Sequence, residues 1–214
     1  MKYDTMVFDC DGVVLNSNRV KTDAFYRSVI DYGEACAKEF VNYHLANGGV
    51  SRYKKFEYFL NSIVCGRKKG PSLSVLLKKY SDYVSDGLAS CEVEPDLSAL
   101  RNKFDRTKWL LVSGGDQEEL RSVFSARGLS GFFDGGIFGS PDDKVTIFRR
   151  ERSCFNISDN SVYFGDSRYD HIAAVEGGLD FVFVSQWSEF SDWKSYCLKN
   201  GVETIPSLRR ALDF

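Results

Sequence analysis

Six side chains in this 214-residue chain have the types and spacing to do chemistry together. Asp9 and Asp11 lie two apart in "FDCDGVV", Ser113 opens the small-residue run of "LLVSGG", Lys144 ends "GSPDDK", and Asp166 and Asp170 sit four apart in "FGDSRYDHIAA". Each alone is ordinary. Strand-end aspartates cap turns, a serine at a strand-to-helix turn is common, and "GDSRYD" can simply cap a helix. A lysine at a helix start is usually on the surface, although that end of the helix dipole disfavours a cation. Together they are complementary: four acids, a hydroxyl and an amine. Carboxylates gathered closely repel unless a hard cation neutralises them. Mg²⁺, which takes one or two carboxylates plus waters and phosphate oxygens, fits the set best, with Asp9 and Asp166 holding it. Lys144 and the Ser113 hydroxyl would complete a pocket for a tetrahedral dianion, so the chemistry expected is phosphoryl transfer. A carboxylate can be the nucleophile, which gives Asp9 the attack and Asp11 the proton transfers.

Such a cluster needs elements that deliver its members to one edge. Five apolar segments, "TMVFD", "KWLLVSGG", "GGIFGS", "SVYFGD" and "DFVFVS", end in small or polar residues. They are nearly continuous in apolar character, and helical patterns over 116–127, 143–152 and 168–177 fall between the later ones. This predicts an α/β chain with a Rossmann-like parallel sheet, whose ligands gather outside the carboxyl ends of the strands. Asp116 and Glu119 are spaced as a capping box for the helix over 116–127. The first two strands are separated by far more than the roughly 30 residues of a simple crossover. Glycines at 33, 48, 49 and 66, with Pro71, divide 18–90 into four helical stretches. Their apolar residues recur at 20, 24, 25 and 29, at 53, 56, 60 and 63, and at 73, 76, 77, 80 and 84. The expected division is a catalytic core of 1–16 and 91–214 carrying an inserted all-helical domain, 17–90.

Composition narrows the field. Hydrophobic residues at 43%, charged residues at 27% and four prolines describe a folded globular chain. A net charge of -2 leaves no excess of positive charge for nucleic acid or anionic lipid, so neither nucleic acid nor membrane is an expected partner. Six cysteines without a CxxC pair, and an N-terminus that meets acidic residues too soon for a signal peptide, point to a cytoplasmic protein with reduced thiols. Neither of the two histidines sits at zinc-ligand spacing to a cysteine. The basic run "GRKKG" (66–70) reads as a solvated loop between helices.

The four motifs, in this order, resemble those of the haloacid dehalogenase superfamily in its phosphatase branch, over essentially the whole chain. The resemblance implies Asp9 as nucleophile and Mg²⁺ ligand, and Asp11 as acid/base whose backbone carbonyl also meets Mg²⁺. It implies Ser113 and the Gly114 amide on the transferring phosphoryl group, Lys144 orienting Asp9, and Asp166 as Mg²⁺ ligand with Asp170 steering the metal or its waters. The aspartate at 11 separates the chain from haloacid dehalogenases and phosphonatases. The insertion resembles the helical cap of phosphoglycolate phosphatases and β-phosphoglucomutases, which closes over the site and excludes water.

The substrate implied is a small phosphorylated metabolite, a sugar phosphate or a phosphoglycolate-like acid. "GGVSRYKKF" (48–56) is similar to the mutase cap segment in which an arginine grips a non-reacting phosphate, so Arg52 is the candidate for a remote anion; the other reading has Ser51 capping a helix with Arg52 exposed on its first turn. Lys21, near the hinge after the first motif, is the other candidate for that anion, its alternative reading being a solvated helix lysine; His171 reads as surface or packing, and Cys10 as core. Gly165 and Asp170 stand where mutases carry an acid and a small residue, which favours hydrolysis. The rival readings are a phosphosugar mutase and a non-catalytic binding module on the same fold.

Overall fold

The computed structural model describes residues 3–64 and 69–213, so Gly66, Arg67 and Lys68 of the basic run lie outside the described residues. Six strands, β1 (Thr5–Phe8), β2 (Lys108–Asp116), β3 (Gly136–Ser140), β4 (Ser161–Gly165), β5 (Asp180–Val184) and β6 (Glu203–Ile205), form one parallel sheet in the order β3-β2-β1-β4-β5-β6. The order reverses direction beside β1, where Thr5 pairs with both Lys108 and Ser161. A ligand crevice belongs at that reversal, at the carboxyl ends.

The apolar runs make these strands because both faces of the sheet are covered. Met6, Phe8, Trp109, Leu111 and Phe164 pack into one hydrophobic cluster, while the alternate residues Val7, Leu110, Val112 and Tyr163 pack into another. The sixth strand was not among the expected segments, since only Ile205 of its three residues is buried and no apolar run marks it.

Nine α-helices are described: α1 (Asn18–Val29), α2 (Glu34–Ala46), α3 (Arg52–Tyr58), α4 (Leu73–Ser90), α5 (Leu97–Lys103), α6 (Gln117–Ala126), α7 (Lys144–Ser153), α8 (Arg168–Gly177) and α9 (Trp193–Asn200). None of them is long and apolar enough to cross a membrane. Between β1 and β2, α1 to α4 enclose a hydrophobic cluster of their own, which includes Phe25, Phe40, Phe56, Phe59 and Tyr80.

Two local expectations change. On α3 the buried side chains are Arg52, Lys55 and Phe56, followed by Phe59, whereas Tyr53, Leu60 and Ile63 are only half-buried. The buried face is therefore one step round from the apolar periodicity, because it carries two cations. At the start of α6 the Asp116 carboxylate accepts from the Glu119 N–H at 3.0 Å, yet the Glu119 side chain does not return the bond as a capping box would; it turns to Arg52.

Candidate active site

Asp9 follows β1 directly, is 2% exposed, and donates its backbone N–H to the Phe164 carbonyl of β4 at 2.8 Å. The chain then turns sharply, with the Val14 and Leu15 N–H groups both bonding the Cys10 carbonyl at 3.0 and 2.8 Å. Gly12 makes the turn possible: its φ is +77°, and a Cβ there would lie 2.1 Å from Asp166 Oδ2. The turn carries Ser17, Asn18 and Lys21 back across the strand ends. Cys10 is fully buried in the sheet's hydrophobic cluster, as expected of a core residue, although it lies in the turn after β1 and not on the strand itself.

Lys144, the first residue of α7, is buried between two carboxylates. Its Nζ lies 2.5 Å from Asp170 Oδ1 and 2.9 Å from Asp9 Oδ1, and donates to the Tyr163 hydroxyl at 2.8 Å. Both acids hold its pKa above the ordinary lysine value against the effect of burial. Asp170 is saturated. Its Oδ1 also accepts from Tyr163 Oη at 2.8 Å, and its Oδ2 accepts from the Ser167 hydroxyl at 2.5 Å and the Ser167 N–H at 3.1 Å, the reciprocal cap that starts α8. Asp9 is not saturated. Its Oδ1 faces Lys144 as an ion pair but receives no well-aligned hydrogen bond from any described residue. Burial raises its pKa to about 7 against the pull of Lys144.

Asp166 closes the acidic group. Its Oδ2 accepts from Asn18 Nδ2 at 2.7 Å, and burial together with the charges of Asp170 and Asp9 pushes its pKa well above the carboxylate range. Carboxylate oxygens of Asp9, Asp166 and Asp170 lie within 4.8 Å of one another.

Asp11 has a different environment two residues from Asp9. Its Oδ1 accepts from Ser17 Oγ and its Oδ2 from Lys21 Nζ, each at 2.5 Å, and Ser113 Oγ lies 3.4 Å from Oδ2. Burial alone would raise its pKa, but Lys21 and the two hydrogen bonds outweigh it and hold the carboxyl below its usual range. The expectation of a solvated Lys21 is thus corrected: the side chain is buried and bonded to Asp11, because the Gly12 turn folds α1 over the strand end.

Ser113, at the end of β2, is buried and accepts from the Gly115 N–H at 3.0 Å. At Gly114 a Cβ would meet the Gly49 carbonyl oxygen at 2.2 Å, so the backbone linking α2 to α3 rests on the backbone following Ser113. Between these layers lies a cavity of about 70 Å³ lined by Asp9, Asp11, Lys21, Arg52, Gly114 and Asp166, among others. Six of the eight expected site residues, Asp9, Asp11, Ser113, Lys144, Asp166 and Asp170, converge on the strand ends, and Gly114 joins them on the cavity wall. Arg52 reaches the cavity from the helical side, buried and not exposed, while Ser51 does cap α3. Its guanidinium is already engaged: Nη2 pairs with Glu119 Oε2, Nη1 lies 3.3 Å from Oε1 and 2.9 Å from Ser81 Oγ, and the group stacks 4.5 Å from the Tyr80 ring. Tyr163 was not singled out from sequence, and Ser17 and Asn18 only as part of the polar run "NSN" (16–18), expected to begin the hinge into the helical insertion and not as partners of the acids. His171 bonds Tyr196 Oη through Nδ1 at 2.8 Å, away from the acidic group.

No protein-family model matches the sequence, and no curated protein does. Solved structures do match. A predicted phosphatase from Clostridium acetobutylicum superposes with a TM-score of 0.73 at 18% identity, covering 100% of this chain and 98% of that one. CbbY from Rhodobacter sphaeroides, in complex with phosphate, gives 0.71 at 15% identity over 96% and 94%. YfnB from Bacillus subtilis, a candidate HAD-hydrolase bound to magnesium, gives 0.63 at 17% identity over 86% and 89%. Six parallel strands with their acids gathered at the carboxyl ends of β1 and β4, beneath a helical insertion, give this chain the fold of the haloacid dehalogenase-like hydrolases.

Proposed function

We propose that the chain is a phosphomonoesterase acting through an aspartyl-phosphate on Asp9. The observation that carries this reading is the contrast between two carboxylates two residues apart. Asp9 keeps an oxygen free of hydrogen bonds beside the Lys144 ammonium, and Asp11 is gripped by Lys21 and Ser17. The open oxygen leaves Asp9 available to a metal ion, which would hold it ionised as the nucleophile. Asp11 takes the proton transfers by its position two residues on, although its donors favour the ionised form, so the substrate's own charge must restore its proton. Asp9 attacks phosphorus, and the ester oxygen leaves with a proton from Asp11; water then attacks the phospho-enzyme and gives its proton to Asp11, which releases phosphate and restores both groups. Lys144 holds Asp9 and offsets the charge of Asp170. Ser113 and the Gly114 amide receive the phosphoryl oxygens. Residues 17–90 act as a cap on the core of 1–16 and 91–214, and keep bulk water from the phospho-enzyme.

The donor set fits Mg²⁺. It is all oxygen, it gathers three carboxylates, and Asp9 Oδ1 is buried without a hydrogen bond from any described residue. Asp9, Asp166 and the Asp11 carbonyl would hold the ion, while Asp170, filled by Lys144, Tyr163 and Ser167, acts from outside. Bound there, Mg²⁺ supplies neutralisation of the charge on the phosphoryl oxygens.

Phosphate release from a panel of small phosphorylated sugars and acids, with and without a chelator, tests the reading. Release in the presence of Mg²⁺ is expected to fall below about a thousandth in Asp9→Asn. If no monoester releases phosphate, or Asp9→Asn keeps its rate, the reading fails. A hexose 1-phosphate that is isomerised without release would assign the transfer to a sugar hydroxyl and not to water.

A further inference from the structure

Three cations face the cavity from its helical side: Lys21, Arg52 and Lys55. Two are answered by acids, Lys21 by Asp11 and Arg52 by Glu119. Lys55 has no acidic partner among the described residues. It is 2% exposed, and among the described residues its Nζ makes one hydrogen bond, 2.7 Å to His44 Nδ1, with the Phe25 ring 5.3 Å away. An ammonium has three protons to donate, and a buried one that lacks a counter-charge is costly.

The surroundings hold it in place nonetheless. Because Lys55 donates to Nδ1, the neutral His44 ring carries its proton on Nε2 and donates to Thr22 Oγ1 at 3.1 Å; the Thr22 hydroxyl in turn donates to Glu189 Oε2 at 2.7 Å. The chain of donors crosses α3, α2 and α1 and ends on a carboxylate of the segment following β5. It fixes the direction of the imidazole and hence the position of the amine, and it leaves the remaining ammonium protons without an acceptor among the described residues.

We infer that Lys55, positioned by His44, is the specificity-determining contact for a second anionic group on the substrate, a carboxylate or phosphate remote from the reacting phosphoryl group. The inference rests on the phosphomonoesterase reading and adds the substrate class to it: a phosphomonoester whose other end carries negative charge. Arg52 is less available for this task, since Glu119, Ser81 and Tyr80 already take its fork and face. The electrostatics agree with the geometry. Burial and the charges of Lys21 and Lys144, opposed by Asp11 and Glu189, bring the Lys55 pKa down to about 7, and an anion beside it would restore the charged form.

The test uses three compounds of equal chain length: 3-hydroxypropyl phosphate, 3-phosphooxypropanoate and propane-1,3-diol bisphosphate. The wild type should favour one or both acid-ended compounds in kcat/KM, chiefly through KM, and the arm that wins identifies the anion as carboxylate or phosphate. Relative to the hydroxyl-ended compound, that preference should fall at least about tenfold in Lys55→Met, be partly kept in Lys55→Arg, and weaken less in His44→Gln. A wild type without the preference, or a Lys55→Met variant that keeps it whole, overturns the inference. Calorimetric titration of the three compounds into Asp9→Asn separates binding from turnover. If nothing is hydrolysed but the acid-ended compounds bind more tightly, the phosphomonoesterase reading falls and the anion contact stands. Should Lys55→Met fail to fold, equal binding of all three to Asp9→Asn still refutes it.

Discussion

The strand ends and the inner face of α3 both bury lysine, and they do so in opposite ways. At the strand ends Lys144 sits between Asp9 and Asp170 with a tyrosine hydroxyl on the third side, so the charge is matched within the protein. On α3, Lys55 leans on an uncharged imidazole and an aromatic face. The first arrangement fixes the proposed reacting groups before any ligand arrives. The second leaves an electrostatic deficit in the cavity wall for a ligand to fill. A buried charge that the protein matches organises a site, whereas one that it leaves unmatched selects what enters.

Removing each lysine should therefore have opposite consequences for stability. Lys144→Met strands two buried carboxylates and is expected to cost about 3–5 kcal/mol in urea unfolding, with turnover reduced at least about a thousandfold. A Lys144→Met protein as stable as the wild type would abolish the contrast. Lys55→Met removes a penalty instead. The lysine has a pKa of about 7 in the fold and 10.5 unfolded, so between those values the unfolded chain binds more protons and wild-type stability rises with pH. Lys55→Met should exceed the wild type in stability by about 4–5 kcal/mol at or below pH 7, and the gap should close towards pH 10. A gap that stays constant with pH would show that the amine is not the cause.

Two smaller effects sharpen the comparison. Lys21→Met leaves Asp11 without its cation and is expected to lower kcat about a hundredfold, with KM little changed, as befits a residue that acts through the acid/base group. A pure rise in KM would move Lys21 to substrate binding. Glu119→Gln keeps the shape of the Arg52 contact but removes its charge, and should cost about 1 kcal/mol in urea unfolding. If it also raises affinity for the acid-ended compounds, Arg52 shares the anion with Lys55.

The strand-end group was legible because sequence and space coincide there: an apolar run ends, a polar residue follows, and the parallel sheet brings each such junction to the same edge. The partners of that group were less legible. Lys21 is ten residues from Asp11, and its role depends on the positive φ of Gly12 folding α1 back. The inner face of α3 was hidden for a physical reason. Periodicity finds a buried face by its apolar residues, and this face carries Arg52 and Lys55. Glu119 shows a third kind of failure, since three-residue spacing from Asp116 suits a cap equally well, and only the arrival of Arg52 from α3 decides which partner it takes. The short strand Glu203–Ile205 and the helices α5 and α9 left too little apolar pattern to read.

The contact between Gly49 and Gly114 offers a handle on motion. Because even one methyl group at 114 would sit 2.2 Å from the Gly49 carbonyl oxygen, Gly114→Ala works as a wedge, prising the two layers apart without touching an ionisable side chain. A chain propped open in this way would turn a question of chemistry into one of timing, since under the proposed mechanism it would expose a phosphorylated Asp9 to solvent while leaving the ionisable side chains around it unchanged.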